Sequence, residues 1–270
     1  MSQLRALLFD VDGTLAETER DGHRVAFNQA FLEHGLPWHW SERRYGELLA
    51  VTGGKERIAH FAAEEEPGWP GRADAAAAIA AIHASKNRRY QELVASGAIA
   101  LRRGLRGLLT EARHAGLHLG VVTTTSRGNL EALLAAALDR ESREAFALRI
   151  AGEDVRRKKP DPECYRLALQ RLGLRPEQVL AVEDSRNGLL SARAAGLQVL
   201  VVRSFYFEQD DFDGALQVAD EFIGLSLEEL RRRFERHCRE GAQDEDAVRR
   251  HTSVSCATQP GVAPATLLVE

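Results

Sequence analysis

Four short apolar runs in this chain each lead into residues able to do chemistry, and helical patterns separate them; few folds accommodate that arrangement. The first run, Leu4 to Phe9, ends in Asp10-Val11-Asp12-Gly13-Thr14. Leu117 to Val122 leads into Thr123-Thr124-Thr125-Ser126, Ala147 to Ala151 is followed by Lys158-Lys159-Pro160, and Val179 to Val182 runs into Glu183-Asp184-Ser185. Such runs, bounded by polar residues and spaced by helical stretches, read as buried strands of a parallel sheet. A further strand is expected over Leu197 to Val202. In an open α/β sheet the C-terminal strand ends converge on one crevice, where ligands bind. The expected fold is therefore α/β, a doubly wound parallel sheet.

Between the first and second runs nothing reads as a strand. Helical spacing runs from Val25 to Leu32 and stops at Gly35-Leu36-Pro37, resumes from Tyr45 to Leu49, and opens again at Ile58 after Thr52-Gly53-Gly54-Lys55-Glu56-Arg57. Glu64 to Gly71 reads as a loop, and the alanine-rich stretch from Ala73 to Ala95 as a long helix. After the insert, helices are expected over Leu105 to Ala115 (closed by Gly116), Asn129 to Leu138, from Asp161-Pro162 to Leu172, and Gly188 to Ala195. Ser226-Leu227-Glu228-Glu229 is a capping-box pattern that opens a last helix. The expected organisation is a core of residues 1–15 and 97–224, a small helical cap over 16–96, a C-terminal helix over 225–240, and a mobile tail over 241–270.

Bulk properties exclude several functions. A net charge of −4 over 270 residues speaks against a nucleic-acid partner. No apolar run reaches the length of about 18 residues that a membrane span needs. The chain enters a strand at Leu4 without the pattern of a secretory leader. Cys164, Cys238 and Cys256 lack metal-ligand spacing, and so sparse a set suits a reducing, cytoplasmic setting. A monomer is expected.

The strand-end residues make a set. Asp10 and Asp12 are two apart, so in extended chain they point the same way and repel unless a cation or proton intervenes. Gly13 allows a sharp turn. The hydroxyls after Val122 can donate to phosphate oxygens at a helix N-terminus. Lys159 can hold a phosphate and offset carboxylates. Glu183 and Asp184, opposite Asp10, complete an oxygen-rich site of the kind Mg²⁺ takes. Together these groups suit phosphoryl transfer. Within the insert, Gly53-Gly54-Lys55-Glu56-Arg57 is a glycine pair opening a helix with two cations, Lys55 and Arg57, in its first turn, an anion site by backbone amides plus charge. His83 and Lys86 share one helix face. Glu19 can accept from a sugar hydroxyl.

These motifs resemble those of the haloacid-dehalogenase-like phosphatases, in order and at strand ends. Asp10-Val11-Asp12-Gly13-Thr14 matches the first motif, Thr123 the second, Lys159-Pro160 the third and Glu183-Asp184-Ser185 the fourth. The resemblance implies a Rossmann-like core, an aspartyl-phosphate on Asp10, and Asp12 as general acid and base. It also implies Thr123 and Lys159 on the phosphoryl group, with Mg²⁺ on Asp10, the Asp12 carbonyl and Asp184, and Glu183 nearby. Glu17-Thr18-Glu19, Trp38-His39-Trp40 and the stretch from Thr52 to Ile58 further resemble the CbbY-type branch. That branch implies hydrolysis of xylulose 1,5-bisphosphate, a Rubisco inhibitor, to xylulose 5-phosphate. The substrate-facing set would be Glu19, His23, Gly53, Gly54, Lys55, Glu56, Arg57, His83, Lys86, Thr124, Thr125, Ser126 and Asn129. The alternative is a β-phosphoglucomutase-like enzyme, for which Thr18, His23 and Lys86 fill the hinge and cap positions.

Overall fold

The computed structural model describes residues 3–240; the tail expected over 241–270 lies outside the described residues. Six parallel strands, β1 (Ala6–Phe9), β2 (His118–Val122), β3 (Phe146–Ile150), β4 (Val179–Glu183), β5 (Gln198–Val202) and β6 (Gln217–Ala219), form one sheet in the order β3-β2-β1-β4-β5-β6. The chain leaves β1 toward β2 and β3 on one side and returns to β4, β5 and β6 on the other. The switch point therefore falls at β1, where a crevice opens in such sheets. Register aligns the chemistry: Phe9 lies beside Val121 and Val182, so Asp10, Thr123 and Glu183 emerge together along one edge.

Alternation along the strands builds two cores. Leu7 and Phe9 point to the face covered by α5 (Leu105–His114), α6 (Arg127–Ala137) and the helix over 227–240. Ala6 and Leu8 point to the face covered by α8 (Glu163–Leu172) and α9 (Arg186–Ala194). This period of two is what a strand buried on both sides requires. Glu229 N–H donates to Ser226 at 3.3 Å, as the capping pattern at the start of the last helix anticipates.

The insert is helical: α1 (Arg24–Glu33), α2 (Glu42–Leu48), α3 (Gly54–Glu65) and α4 (Ala75–Ala95). It has its own apolar cluster, centred on Phe27, Phe31, Trp38, Trp40, Tyr45 and Phe61. The Trp38-His39-Trp40 segment thus serves packing, its two indoles set mostly edge-to-face among phenylalanines at 4.6–5.5 Å between ring centres.

Several elements differ from expectation. Glu19 to His23 is a turn of wide helix running into α1, ahead of the helical spacing that begins at Val25. A short α7 (Arg140–Ala145) precedes β3, and β6 is a three-residue edge strand without the apolar run that would betray it. Leu32 is 79% exposed although it falls in the helical pattern, because α1 packs on α4 through Ala26, Phe27, Ala30 and Phe31. No helix among the described residues is long and apolar enough to cross a membrane.

Candidate active site

Asp10, Glu183 and Asp184, all buried, each offer a carboxylate oxygen within 4.8 Å of the others. Lys159 Nζ spends all three protons here, on Asp10 Oδ1 at 2.6 Å, Glu183 Oε1 at 2.6 Å and the Val122 carbonyl at 2.9 Å. The Tyr165 hydroxyl, from the first turn of α8, also donates to Glu183 Oε1. Ser204, just after β5, donates to Asp184 Oδ2 at 2.6 Å. One ammonium faces three carboxylates, and Glu183 Oε2 is buried without a partner.

The charge imbalance registers in the acids. Burial pushes Asp10 up to about 8, Lys159 pulling it down and Glu183 and Asp12 pushing it further up. Burial raises Asp184 well above the carboxylate range, with Asp10 and Glu183 adding to it. Burial would lower Lys159, but Asp10 and Glu183 more than reverse this and keep it protonated. A hard divalent cation fits such a donor set, because it supplies the positive charge the acids lack. Gly13 (φ 89°) completes the cradle: a Cβ there would overlap the Asp184 carboxylate.

Asp12 has partners of its own. Its Oδ1 accepts from the Thr18 hydroxyl at 2.5 Å and contacts His23 Nε2 at 2.8 Å. His23 Nδ1 meets the Lys86 ammonium at 2.9 Å. An ammonium can only donate, so Nδ1 accepts and Nε2 carries the proton given to Asp12. His23 also stacks on Tyr90, with ring centres 4.1 Å apart. Burial alone would raise Asp12, but the hydrogen bonds from His23 and Thr18, with the Lys86 ammonium near, bring it down to about 2. Burial lowers Lys86 itself to about 8, against the pull of Glu19 and Asp12.

Beside the acids lies a cavity of about 450 Å³. Asp12, Glu19, His23 and Lys86 line its hinge side; Gly53, Gly54, Lys55, Glu56, Arg57 and His83 line the α3–α4 side. Thr124, Thr125, Ser126 and Asn129 form the wall from the β2–α6 turn. Asp10, Thr123, Lys159 and Asp184 line a small recess of about 70 Å³, whose walls also include Asp12, Glu19, Gly53, Arg57 and Thr124 of the larger cavity. Glu183 lines neither space, and its Oε1 accepts from Lys159; Thr18, at the hinge, and Gly13 also lie outside both.

The cations are not equivalent. Arg57 is buried, donating to the Leu48 carbonyl at 3.1 Å and to the Tyr45 hydroxyl at 3.0 Å, whereas Lys55 is exposed. Tyr45 in turn donates to Glu19 Oε2 at 2.5 Å. Lys158 pairs with Glu56 at 2.7 Å, packed against Gly53 (φ 104°). Burial, with Lys86, Lys55 and Lys158 near, lowers His83 to about 3, so it stands in the cavity as a neutral ring. Tyr45, Tyr165 and Ser204 were not among the candidates read from the sequence. Ser204 was findable, as a hydroxyl following an apolar strand; Tyr45 and Tyr165 sit on helices with no local signal.

A family model for haloacid dehalogenase-like hydrolases matches residues 4–196. The chain belongs to that family. It is 48% identical over 222 residues to protein CbbY of Cereibacter sphaeroides, covering 82% of this chain and 94% of that one. A crystal structure of CbbY from Rhodobacter sphaeroides in complex with phosphate is 45% identical and superposes with a TM-score of 0.76, covering 83% of this chain and 96% of that one. A D10N mutant of the same protein, in complex with xylulose-(1,5)bisphosphate, superposes with a TM-score of 0.75 at the same identity and coverage. The chain is thus a hydrolase of the phosphatase type, related to CbbY.

Proposed function

We propose that this protein is a Mg²⁺-dependent sugar-bisphosphate phosphatase that hydrolyses xylulose 1,5-bisphosphate to xylulose 5-phosphate. The observation that carries the reading is the pair of adjoining spaces. A small recess holds Asp10 and Lys159, and a cation-bearing cavity of about 450 Å³ shares its walls. A sugar carrying two phosphates fills both: the reacting phosphate meets the acids, and the distal one meets Arg57, Lys55 and the helix N-terminus at Gly54. The likeness to a CbbY crystallised with xylulose-(1,5)bisphosphate supports the same substrate.

In this reading an Asp10 carboxylate oxygen attacks phosphorus, and the bond from phosphorus to the sugar oxygen breaks. Asp12 gives that oxygen its proton. Water then attacks the aspartyl-phosphate, Asp12 takes the water's proton, and Asp10 and inorganic phosphate are released. Asp12, held near 2 in the free protein, gains proton affinity when a phosphate anion arrives beside it, since like charge disfavours the carboxylate. Thr18 and the Lys86–His23 chain hold its side chain in place while its proton comes and goes. Thr123 and Lys159 orient the phosphoryl group. Mg²⁺, held by Asp10, Asp184 and the Asp12 carbonyl with Glu183 nearby, would neutralise charge between the anionic nucleophile and the phosphate. The helical insert acts as the cap that closes over the sugar, and its hinge is the pair of crossings near Ala16 and Leu101.

The test is a panel of sugar phosphates assayed for Mg²⁺-dependent phosphate release, with pentulose 1,5-bisphosphates included. The reading expects the bisphosphate to be preferred over monophosphates. Isomerisation of β-glucose 1-phosphate without phosphate release would instead assign a mutase.

A further inference from the structure

One buried guanidinium outside the cavity is tied to the site from below. Arg102 follows Leu101, where the returning chain pairs with Ala16 of the outgoing chain, and its N–H donates to the Leu15 carbonyl at 2.8 Å. Its side chain is 3% exposed. All five of its donors are engaged. Nη1 donates to the Gly13 carbonyl at 2.7 Å and to Glu17 Oε1 at 3.0 Å. Nη2 donates to the carbonyls of Arg203 at 2.8 Å and Asp220 at 2.7 Å, and Nε to Glu221 Oε2 at 3.2 Å.

Two of these acceptors are neighbours of reacting groups. Gly13 follows Asp12, and its carbonyl orientation fixes the turn from which the Asp12 side chain projects. Arg203 precedes Ser204, which holds Asp184. A third, Glu17, lies on the outgoing crossing and also accepts from the Phe205 amide at 3.3 Å. One rigid fork thus joins the Asp12 turn, the Asp184 support and both crossings into the insert. A lysine cannot replace it, since an ammonium has three donors for five acceptors.

We infer that Arg102 is a positioning residue for the reaction: its guanidinium holds the Gly13 carbonyl, and through it sets Asp12 against the leaving oxygen. The inference rests on the phosphatase reading above. It makes a specific claim about the first proton transfer: in the step that phosphorylates Asp10, Asp12 matters only to leaving groups that need a proton, whereas its later work as base toward water is common to every ester. A sugar oxygen needs one; the nitrophenolate of p-nitrophenyl phosphate does not.

The experiment compares the wild type, Arg102→Lys and Glu221→Gln on xylulose 1,5-bisphosphate and p-nitrophenyl phosphate, well below each protein's melting temperature. General acid catalysis is worth roughly a hundred- to ten-thousandfold, so a displaced Asp12 in Arg102→Lys should lower kcat/KM on the sugar phosphate, which reports the steps up to release of the alcohol, by at least about tenfold. kcat/KM on p-nitrophenyl phosphate should change by less than about threefold, since its phosphoryl transfer to Asp10 needs no proton; the later hydrolysis of the aspartyl-phosphate is shared by both esters and does not enter the comparison. Glu221→Gln, which leaves the Gly13 contact intact, should match the wild type on both esters. Should Arg102→Lys fail to fold, Glu17→Gln replaces it, with a smaller fall in the same ratio of the two kcat/KM values. Equal losses of kcat/KM on both esters, or no loss on either, in the folded variant overturns the inference by making Arg102 purely structural. A wild type inert toward both esters overturns the phosphatase reading itself, and the inference with it.

Discussion

Replacing Lys86 with methionine separates what the site costs in stability from what it supplies in chemistry. The Lys86 side chain, on α4, is buried, with its ammonium 2.9 Å from His23 Nδ1 and 4.8 Å from the centre of the Phe27 ring. Burial lowers it from an ordinary 10.5 to about 8, Asp12 and Glu19 resisting and Arg57 assisting. A difference of that size means the charged lysine costs the folded state about 3 kcal/mol at neutral pH. Methionine removes this cost but strands His23 Nδ1, worth about 1–3 kcal/mol, and the cation–π contact, worth about 1 kcal/mol. The two nearly cancel, so Lys86→Met should be about as stable as the wild type at neutral pH. The pH dependence does not cancel. Between about 8 and 10.5 the unfolded chain holds a proton at Lys86 that the folded chain has released, so wild-type stability gains with rising pH through this group. Lys86→Met lacks that gain and should fall behind by about 3 kcal/mol across the same window, other groups titrating alike in both proteins. Urea unfolding from neutral pH upward measures the gap, and kcat should drop because the His23–Asp12 contact loses its support. A stability gap that stays constant with pH would refute the reasoning.

Further outcomes follow from the same geometry. Asp12→Asn should lose turnover yet keep more Mg²⁺ affinity by calorimetry than Asp184→Ala, because only the Asp12 carbonyl is assigned to the metal; equal losses would contradict that assignment. Arg57→Ala should lower the specificity-constant ratio of bisphosphate over an aryl phosphate by about ten- to a hundredfold, the worth of a charge-assisted contact. Lys55→Ala should lower it less, since Lys55 is exposed; unchanged ratios in both would move the distal-phosphate site toward His83 and Lys86. Tyr165→Phe removes a donor from Glu183 and should cost about 1–2 kcal/mol in stability, with weaker Mg²⁺ binding; an unchanged melting temperature would show that the hydroxyl contributes nothing.

The sheet was legible because its strands are apolar runs closed by polar residues, and register alone carries Asp10, Thr123 and Glu183 to one edge. The crevice at β1 follows from the strand order, with β2 and β3 on one side of β1 and β4 to β6 on the other, and no residue pattern along the chain states that order. The cap residues were legible as types but not as environments. Arg57 and Lys86 could equally have been solvated helix charges; packing against Tyr45, Phe27 and Tyr90 decides otherwise. The edge strand β6 escaped because Gln217-Val218-Ala219 carries no alternation, and its order comes from β5. Arg102 escaped for another reason: its acceptors lie 85 to 119 residues away along the chain, mostly on backbone, and no local pattern announces them.

The account turns on Asp10 carrying the phosphoryl group. The direct measurement is a rapid-quench single turnover with xylulose 1,5-bisphosphate radiolabelled at the 1-phosphate, followed by digestion and identification of the labelled peptide. The account predicts label on the peptide containing Asp10, rising and then decaying as inorganic phosphate appears, with none in a folded Asp10→Asn protein. Phosphate released at full rate with no label ever on the protein, or turnover by Asp10→Asn, would contradict it.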